Sequence, residues 1–268
     1  MTAQDGLTLH VRRYGSRHTS ARSVVCLPGL ARTASDFHLL ATALAADPDN
    51  PRLVLALDYR GHGQSQYDRH SNNYTIRVAL ADLSAVLAAL EITSAIFVGT
   101  SFGGVLAMIL AVLPPIAVAG VILNDIGPVM EPRGLMRIKS YVGKLPIARN
   151  FEDGAEILRW LFEAQFTKLA PEDWIAFAKR TCARTTVGWC RPMIRSSPER
   201  CAASVWNVSR HYGTSLTRWR ASRLWLSAAP IQICWPGRRS MRCWHDAASL
   251  KSSSCRIRVT RPCLLSPR

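Results

Sequence analysis

The sequence contains no Cys-x-x-Cys pair, although it has 8 cysteines. Two recurring spacings, Cys182 to Cys190 and Cys255 to Cys263, are each eight residues and match no zinc-binding pattern. We therefore predict no metal site. The chemistry described below also requires no organic cofactor, so none is expected.

A leader segment and a membrane span are also missing. Residues 1–15 contain no apolar run of the kind that a signal peptide needs. Val105 to Leu123 is an uncharged run about the length of a membrane span. Pro114 and Pro115 divide it, so it is read as a helix, a turn and a strand. We expect a cytoplasmic protein with no membrane partner.

Acidic residues are scarce in the last third of the chain. After Arg180 there are 16 Lys and Arg residues but only 2 Asp and Glu, so nearly all of the net charge of +16 lies there. Seven of the 8 cysteines and six of the 8 tryptophans lie in the same part. Such a charge would ordinarily suggest nucleic acid or an anionic membrane as the partner. A composition break this sharp needs its own explanation first.

The most informative stretch is residues 99–104, Gly-Thr-Ser-Phe-Gly-Gly, which fits Gly-x-Ser-x-Gly. An apolar run precedes it and a helical run follows, so Ser101 is predicted on a tight turn between a strand and a helix. Larger side chains at Gly99 and Gly103 would clash in such a turn. The N–H groups that begin the helix would stabilise an oxyanion at this place. A glycine-rich loop without a catalytic role is the alternative interpretation.

Strands and helices alternate along the first 127 residues. The apolar patterns predict strands at 7–13, 23–27, 53–57, 96–98 and 118–123, and helices at 34–46, 76–90 and 105–113. This alternation predicts an α/β fold with a mostly parallel, doubly wound sheet and helices on both faces. Sites in such folds lie at the carboxyl ends of strands, and the three glycine-bearing loops all follow strands.

These segments together resemble the serine-type α/β-hydrolases, a group that includes esterases, enol-lactone hydrolases and carbon–carbon bond hydrolases. The resemblance rests on Leu27-Pro28-Gly29-Leu30, on Asp58 to Ser65 and on the Gly-x-Ser-x-Gly turn. It implies that Ser101 is the nucleophile and that the backbone N–H groups of Phe102 and Leu30 form the oxyanion hole. Related epoxide hydrolases and dehalogenases place aspartate at the nucleophile position, so the serine argues against them.

The general base and its acid are harder to assign. The resemblance implies the order serine, then Asp or Glu, then His, but only His211 and His245 follow Ser101. Neither of them has a Gly-His context after a strand, so no catalytic histidine is assigned. His62 belongs to the run that the resemblance identifies as a structural turn. Asp125, just after a predicted strand, is an alternative acid, although Asp-Ile-Gly-Pro is also an ordinary turn sequence.

Residues 128–180 change to a helical pattern, with predicted helices at 135–142, 151–166 and 171–179. By resemblance they form a cap over the site. The predicted organisation is then a hydrolase core at 1–127, a helical cap at 128–180 and a tail at 181–268. Five apolar residues could line a pocket or pack the cap helices together: Met130, Met136, Trp160, Leu161 and Phe166.

The tail has the composition of a GC-rich gene translated out of register. Read one base earlier, the codons of residues 226–235 permit Val-Ile-Arg-Gly-Ala followed by Asn-Ser-Asp-Leu-Leu, a strand and an aspartate loop. In the same register, residues 257–262 permit Asp-Gln-Gly-His-Ala-Pro, which places a histidine 27 codons after that aspartate. Both segments resemble the acid and histidine loops of the family. We therefore predict that the frame slips by one base near codons 180 to 182.

The sequence thus predicts a serine hydrolase that acts through an acyl-enzyme on a carboxylic ester, lactone or related carbonyl substrate. The expected partner is a small molecule rather than nucleic acid. The last two strands of the fold, the acid and the histidine would be lost from the chain as it stands, which is therefore expected to be inactive. The alternative is a non-catalytic, hydrolase-like scaffold with a disordered basic tail that binds nucleic acid.

Overall fold

The computed structural model describes residues 1–127 except 31 and 114–116, residues 146 and 148–184 except 165, and two short strands at 190–192 and 232–234. The strands are β1 Val11–Tyr14, β2 Ser23–Leu27, β3 Val54–Leu57, β4 Ser94–Thr100, β5 Ala117–Asn124, β6 Cys182–Arg184, β7 Cys190–Pro192 and β8 Gln232–Cys234. The helices are α1 His38–Ala45, α2 Ile76–Ala89, α3 Phe102–Leu110, α4 Phe151–Phe162 and α5 Pro171–Thr181, with 3₁₀ turns at Ala34–Phe37 and Ser71–Asn73.

The main sheet is mostly parallel, as the alternation of strands and helices predicted. Its order is β1-β3-β2-β4-β5-β8, and β2, β3, β4 and β5 run parallel to one another. β1 joins one edge antiparallel to β3, and β8 joins the other edge antiparallel to β5. β6 and β7 form a separate antiparallel pair.

Successive residues of the central strands point to opposite faces of the sheet, and helices cover both faces. Val25 and Phe97 pack in one cluster with the buried residues of α2 and α3. Val24 and Ile96, their neighbours along the strands, pack on the other face with Phe37 and with α1. The doubly wound arrangement is therefore confirmed.

The turn at Ser101 lies between two of the most deeply buried elements. All nine residues of α3 are buried, and so are the five central residues of β4. Close packing on both sides leaves the intervening turn little freedom to relax.

Several predicted boundaries were wrong, and the helix predicted at 105–113 spans Phe102–Leu110. The first strand begins at Val11 rather than residue 7, and an isolated bridge between Thr2 and Thr8 precedes it. Leu7 and Leu9 are buried all the same, which is why they alternate with polar residues. The helix predicted at 151–166 ends at Phe162.

Helices α4 and α5 pack against each other through a small core of their own, made by Ala155, Leu158, Trp174, Phe177 and Ala178. The helix predicted at 135–142 lies outside the described residues. None of the helices that the structure describes is long and apolar enough to cross a membrane.

Candidate active site

Ser101 occupies a strained backbone conformation between β4 and α3. Its φ is 47° and its ψ is −110°, a region that residues with a side chain rarely adopt. The half-buried serine opens the helix, because its carbonyl oxygen accepts the N–H of Val105 at 3.1 Å. The Ser101 N–H donates to the carbonyl oxygen of Asn124 at 3.0 Å, so the end of β5 holds the turn in place.

Three glycines allow this turn to pack. A Cβ on Gly99 would lie 2.5 Å from the nitrogen of Gly104, and a Cβ on Gly103 would overlap the carbonyl oxygen of Leu27 in β2. A Cβ on Gly104 would overlap the side chain of Ile126. Gly99 and Gly103 thus have the steric role that the motif predicted, and Gly104 has one that it did not.

The loop after β2 lies close to Ser101. An ideal Cβ on Gly29 would be 3.7 Å from the Cβ of Ser101, which makes Gly29 a direct neighbour of the predicted nucleophile. Leu30 is half-buried and packs against the main core. Phe102, 6% exposed, is the first residue of α3. The structure therefore brings the two predicted segments, around residues 29–30 and 101–102, to one end of the sheet.

Asp58 and Tyr59, directly after β3, form hydrogen bonds with this loop. The Asp58 carboxylate accepts the N–H of Ala34 at 2.7 Å and pairs with His10 Nδ1 at 2.7 Å. The Tyr59 hydroxyl donates to the carbonyl oxygen of Pro28 at 2.9 Å. Both ends of the loop that contains Leu30 are thus bonded to neighbouring residues of a single strand end.

His62 is buried, and neither of its ring nitrogens is hydrogen-bonded to the Ser101 hydroxyl. Its Nδ1 lies 2.9 Å from the carbonyl oxygen of Arg60, so this nitrogen donates the hydrogen bond. Its Nε2 is buried without a hydrogen-bond partner. Burial lowers the pKa of the ring, so the imidazole is neutral. This arrangement fits the structural turn that the resemblance implied for His62.

Asp125 follows β5 and lies next to Asn124, whose carbonyl oxygen accepts the Ser101 N–H. Its φ of 54° is another unusual backbone conformation. The residue is exposed, yet partial burial of the carboxyl group raises its pKa. The structure gives it no hydrogen bond to a described histidine, so its role as the acid stays a prediction.

A buried ion cluster around Arg60 was not predicted. Arg60, whose side chain is 4% exposed, donates two hydrogen bonds to Asp82 in α2 at 2.7 and 2.8 Å. It also donates to Asp68 at 2.6 Å and to Asp5 at 3.0 Å. Burial alone would lower the pKa of Arg60, but these carboxylates outweigh it and raise the pKa. No local sequence pattern reveals the cluster, because its members are far apart in the chain.

A second unpredicted contact joins α5 to the loop after β2. The Arg32 guanidinium lies 4.0 Å from the centre of the Phe177 ring and donates to Thr181 Oγ1 at 2.7 Å. It also makes two 2.6 Å hydrogen bonds to Asp36. Burial lowers the pKa of Arg32, and the Asp36 carboxylate opposes this effect.

The predicted pocket-lining residues have mixed outcomes. Trp160 is 79% exposed and faces mainly solvent, whereas Phe166 is 45% exposed and its ring packs near Trp174 and Phe177. Leu161 is half-buried, and Met130 and Met136 lie outside the described residues. Within the part of the chain that the structure covers, no group of three or more His, Cys, Asp or Glu is arranged to hold a metal ion.

Comparison with known proteins gives the class of this site. The model of the alpha/beta hydrolase family matches residues 24–263. Because the match covers most of the chain, the chain belongs to the alpha/beta hydrolase family. The strand, tight turn and helix around Ser101 and the mostly parallel sheet agree with that assignment.

Particular relatives are similar over part of their length. A 3-hydroxybutyrate-oligomer hydrolase of Cupriavidus necator is 36% identical over 154 residues, which are 57% of this chain and 50% of that protein. An sn-1-specific diacylglycerol lipase, ABHD11, of Xenopus laevis is 36% identical over 105 residues, 39% of this chain and 32% of that protein. The crystal structure of an alpha/beta hydrolase from Novosphingobium aromaticivorans has a TM-score of 0.66 and 37% identity, and the match covers 71% of this chain and 65% of that one. The chain thus spans half or less of the length of these two curated relatives.

Proposed function

We propose that this protein is a serine hydrolase that cleaves carboxylic esters with Ser101 as the nucleophile. The observation that carries the proposal is the backbone of Ser101, with φ of 47° and ψ of −110°, in a turn packed against three glycines. A strained conformation of this kind is costly and persists only where the surrounding structure enforces it. At the carboxyl end of a parallel strand, a strained serine supports a catalytic role.

The chemistry follows from the groups around the turn. In the chain with its reading frame restored, Ser101 Oγ would attack the carbonyl carbon of the ester and give its proton to the histidine of the displaced loop. The N–H groups of Phe102 and Leu30 donate to the oxyanion that forms. The carbon–oxygen bond to the leaving alcohol then breaks, the alcohol takes the proton, and water releases the acyl group from Ser101. Each of these steps uses only protein groups and water.

The similar proteins favour an ester as the substrate. A 3-hydroxybutyrate oligomer and a diacylglycerol, the compounds in the two relatives' names, are both carboxylic esters. We propose that a short aliphatic ester is the substrate class of this protein. Lactones and carbon–carbon ring-cleavage products would require the same serine and oxyanion hole.

The histidine base is the missing part of this site. The described histidines include none that is hydrogen-bonded to Ser101, and His62 Nε2 has no partner. We propose that the codons after about residue 181 are read one base out of register, so that the aspartate and histidine loops are replaced by the tail. Two such loops, 27 codons apart in one register, support this explanation. The chain as it stands would then keep only about 10³ to 10⁴-fold catalysis over water, from binding and the oxyanion hole.

Two experiments test these proposals separately. Sequencing of codons 175–190 from fresh DNA should show one additional base; an unchanged sequence contradicts the displaced frame. In the frame-restored chain, Ser101→Ala should abolish hydrolysis of p-nitrophenyl butyrate. The matched control is Ser94→Ala at the other end of β4, whose hydroxyl accepts a hydrogen bond from Arg22. Hydrolysis that survives Ser101→Ala but depends on the folded protein would refute the serine mechanism.

A further inference from the structure

Tyr59 contacts both segments from which the oxyanion hole would be built. Its hydroxyl donates to the carbonyl oxygen of Pro28 at 2.9 Å. Its ring packs edge-on against the ring of Phe102, with the ring centres 5.2 Å apart and the planes at 89°. Pro28 and Phe102 lie on different strand ends, so a single side chain joins two segments that are distant in sequence.

The hydrogen bond to Pro28 controls the direction of a peptide group close to the site. The carbonyl of Pro28 and the N–H of Gly29 belong to the same planar peptide unit. Fixing the Pro28 oxygen therefore fixes the entry into the loop, one residue before Leu30. Gly29 is also the residue whose ideal Cβ would lie 3.7 Å from the Cβ of Ser101.

The ring contact fixes the other segment. Phe102 and Tyr59 are 6% and 7% exposed, so their edge-to-face packing takes place inside the protein. Phe102 begins α3, and its N–H is the second proposed oxyanion donor. A movement of the Tyr59 ring would therefore disturb the start of the helix as well as the loop.

The environment keeps Tyr59 a hydrogen-bond donor. Burial raises the pKa of its hydroxyl, and the neighbouring Asp58 carboxylate adds to the effect. Both effects favour the neutral phenol, which donates its proton to the bond with Pro28. Because Asp58 binds the N–H of Ala34, the two residues together hold both ends of the loop.

We propose that Tyr59 is a positioning residue that sets the loop containing Leu30 against the start of α3, so that two N–H groups converge on one oxyanion. The inference rests on the proposed function, since it assumes that these groups act in catalysis. It assigns the role to a residue that does not itself touch the reacting atoms.

The contact is tested first in the full-length chain, without any assay of activity. Tyr59→Phe keeps the ring and removes the hydroxyl. The Arg32 amide donates to the carbonyl oxygen of Gly29, and the Ala34 amide donates to the Asp58 carboxylate. Hydrogen exchange at both amides should become about tenfold faster in this variant. The matched control is Tyr74→Phe, which removes another buried tyrosine hydroxyl. That hydroxyl donates to the backbone carbonyl oxygen of Asp68. Equal exchange at Arg32 and Ala34 in both variants would overturn the proposal.

The catalytic consequence is tested in the frame-restored enzyme. Tyr59→Phe should lower kcat about tenfold or more and change KM by less than about twofold, because a displaced donor weakens binding of the transition state alone. Tyr74→Phe should leave both constants unchanged. If the frame-restored parent hydrolyses the ester and Tyr59→Phe has the same kcat, the positioning role is overturned.

The two proposals fail in different ways. If Ser101→Ala retains activity, the proposed function is wrong, and hydrogen exchange alone decides whether Tyr59 holds the loop. If Tyr59→Phe does not fold, Phe102→Leu removes the ring contact from the other side. That variant should also accelerate exchange at Arg32 and Ala34, and unchanged exchange would count against the inference.

Discussion

Replacing Arg60 by methionine should destabilise the protein strongly, because it leaves buried carboxylates without their cation. Met keeps most of the aliphatic stem and removes all four hydrogen bonds to carboxylates. The side chains of Asp68 and Asp82 are only 6% and 10% exposed, whereas that of Asp5 is 45% exposed. We therefore attribute the effect to the first two residues.

Breaking a buried ion pair by removal of one partner costs about 3–5 kcal/mol. Since domains of this kind unfold with about 5–15 kcal/mol, Arg60→Met should lose about a fifth or more of the total stability. Urea denaturation of the full chain, followed by circular dichroism at pH 7, measures the loss. Arg149→Met is the matched control, because that side chain is 76% exposed and pairs with Asp153 in the first turn of α4. It should leave the unfolding midpoint unchanged.

The difference between wild type and Arg60→Met should also depend on pH. The hydrogen bond from Arg60 lowers the pKa of Asp5 below its ordinary 3.8. Burial opposes the same change in Asp68, but hydrogen bonds from His70, Asn73 and Arg60 prevail and lower its pKa. A lowered carboxyl pKa stabilises the fold fully above the ordinary value, and that contribution is lost as the pH falls through the lowered value. The gap should therefore be widest near neutral pH and narrow below pH 3.8. A loss under about 1 kcal/mol at pH 7, or one equal to that of Arg149→Met, would refute the buried-cluster argument.

Two further substitutions test the turn and the proposed acid. Gly103→Ala should lower the free energy of unfolding by more than about 3 kcal/mol, because the added Cβ would overlap the backbone of Leu27 in the buried strand β2. A soluble variant with a wild-type melting temperature would contradict this. Asp125→Asn should be neutral or slightly stabilising near pH 7, because asparagine tolerates the positive φ and removes a carboxylate whose pKa burial raises. If Asp125 is the acid, the same variant of the frame-restored enzyme should lose about 10⁴-fold in kcat, and retention of kcat would exclude that role.

The sequence predicted burial more reliably than it predicted hydrogen bonding. The strand at 23–27 and the helix at 76–90 match the structure to within one residue, because the strand is buried on both faces of the sheet and the helix buries one apolar face. Leu7 and Leu9 alternate with polar residues as in a strand and are buried, yet the first strand of the sheet begins only at Val11. Phe166 likewise continues the helical spacing beyond the end of α4, since its ring packs near Phe177 and Trp174.

In the candidate site, too, the sequence predicted some features and not others. The turn at Ser101 could be found because the Gly-x-Ser-x-Gly pattern and its flanking strand and helix are contiguous in the sequence. Arg60 and Tyr59 could be seen in the sequence, but their partners could not. Asp5 and Asp82 resemble surface acids until the fold brings them to one guanidinium, and nothing in the sequence around Pro28 indicates that its carbonyl accepts a buried hydroxyl.

The loop between Pro28 and Ala34 is fastened at both ends to consecutive residues, Tyr59 and Asp58. Surface loops usually accept inserted residues at little cost, since closing a longer loop loses only a small amount of entropy. Here an added residue would detach one end from its anchor. Directed evolution of a new substrate range should therefore leave the length of this loop alone.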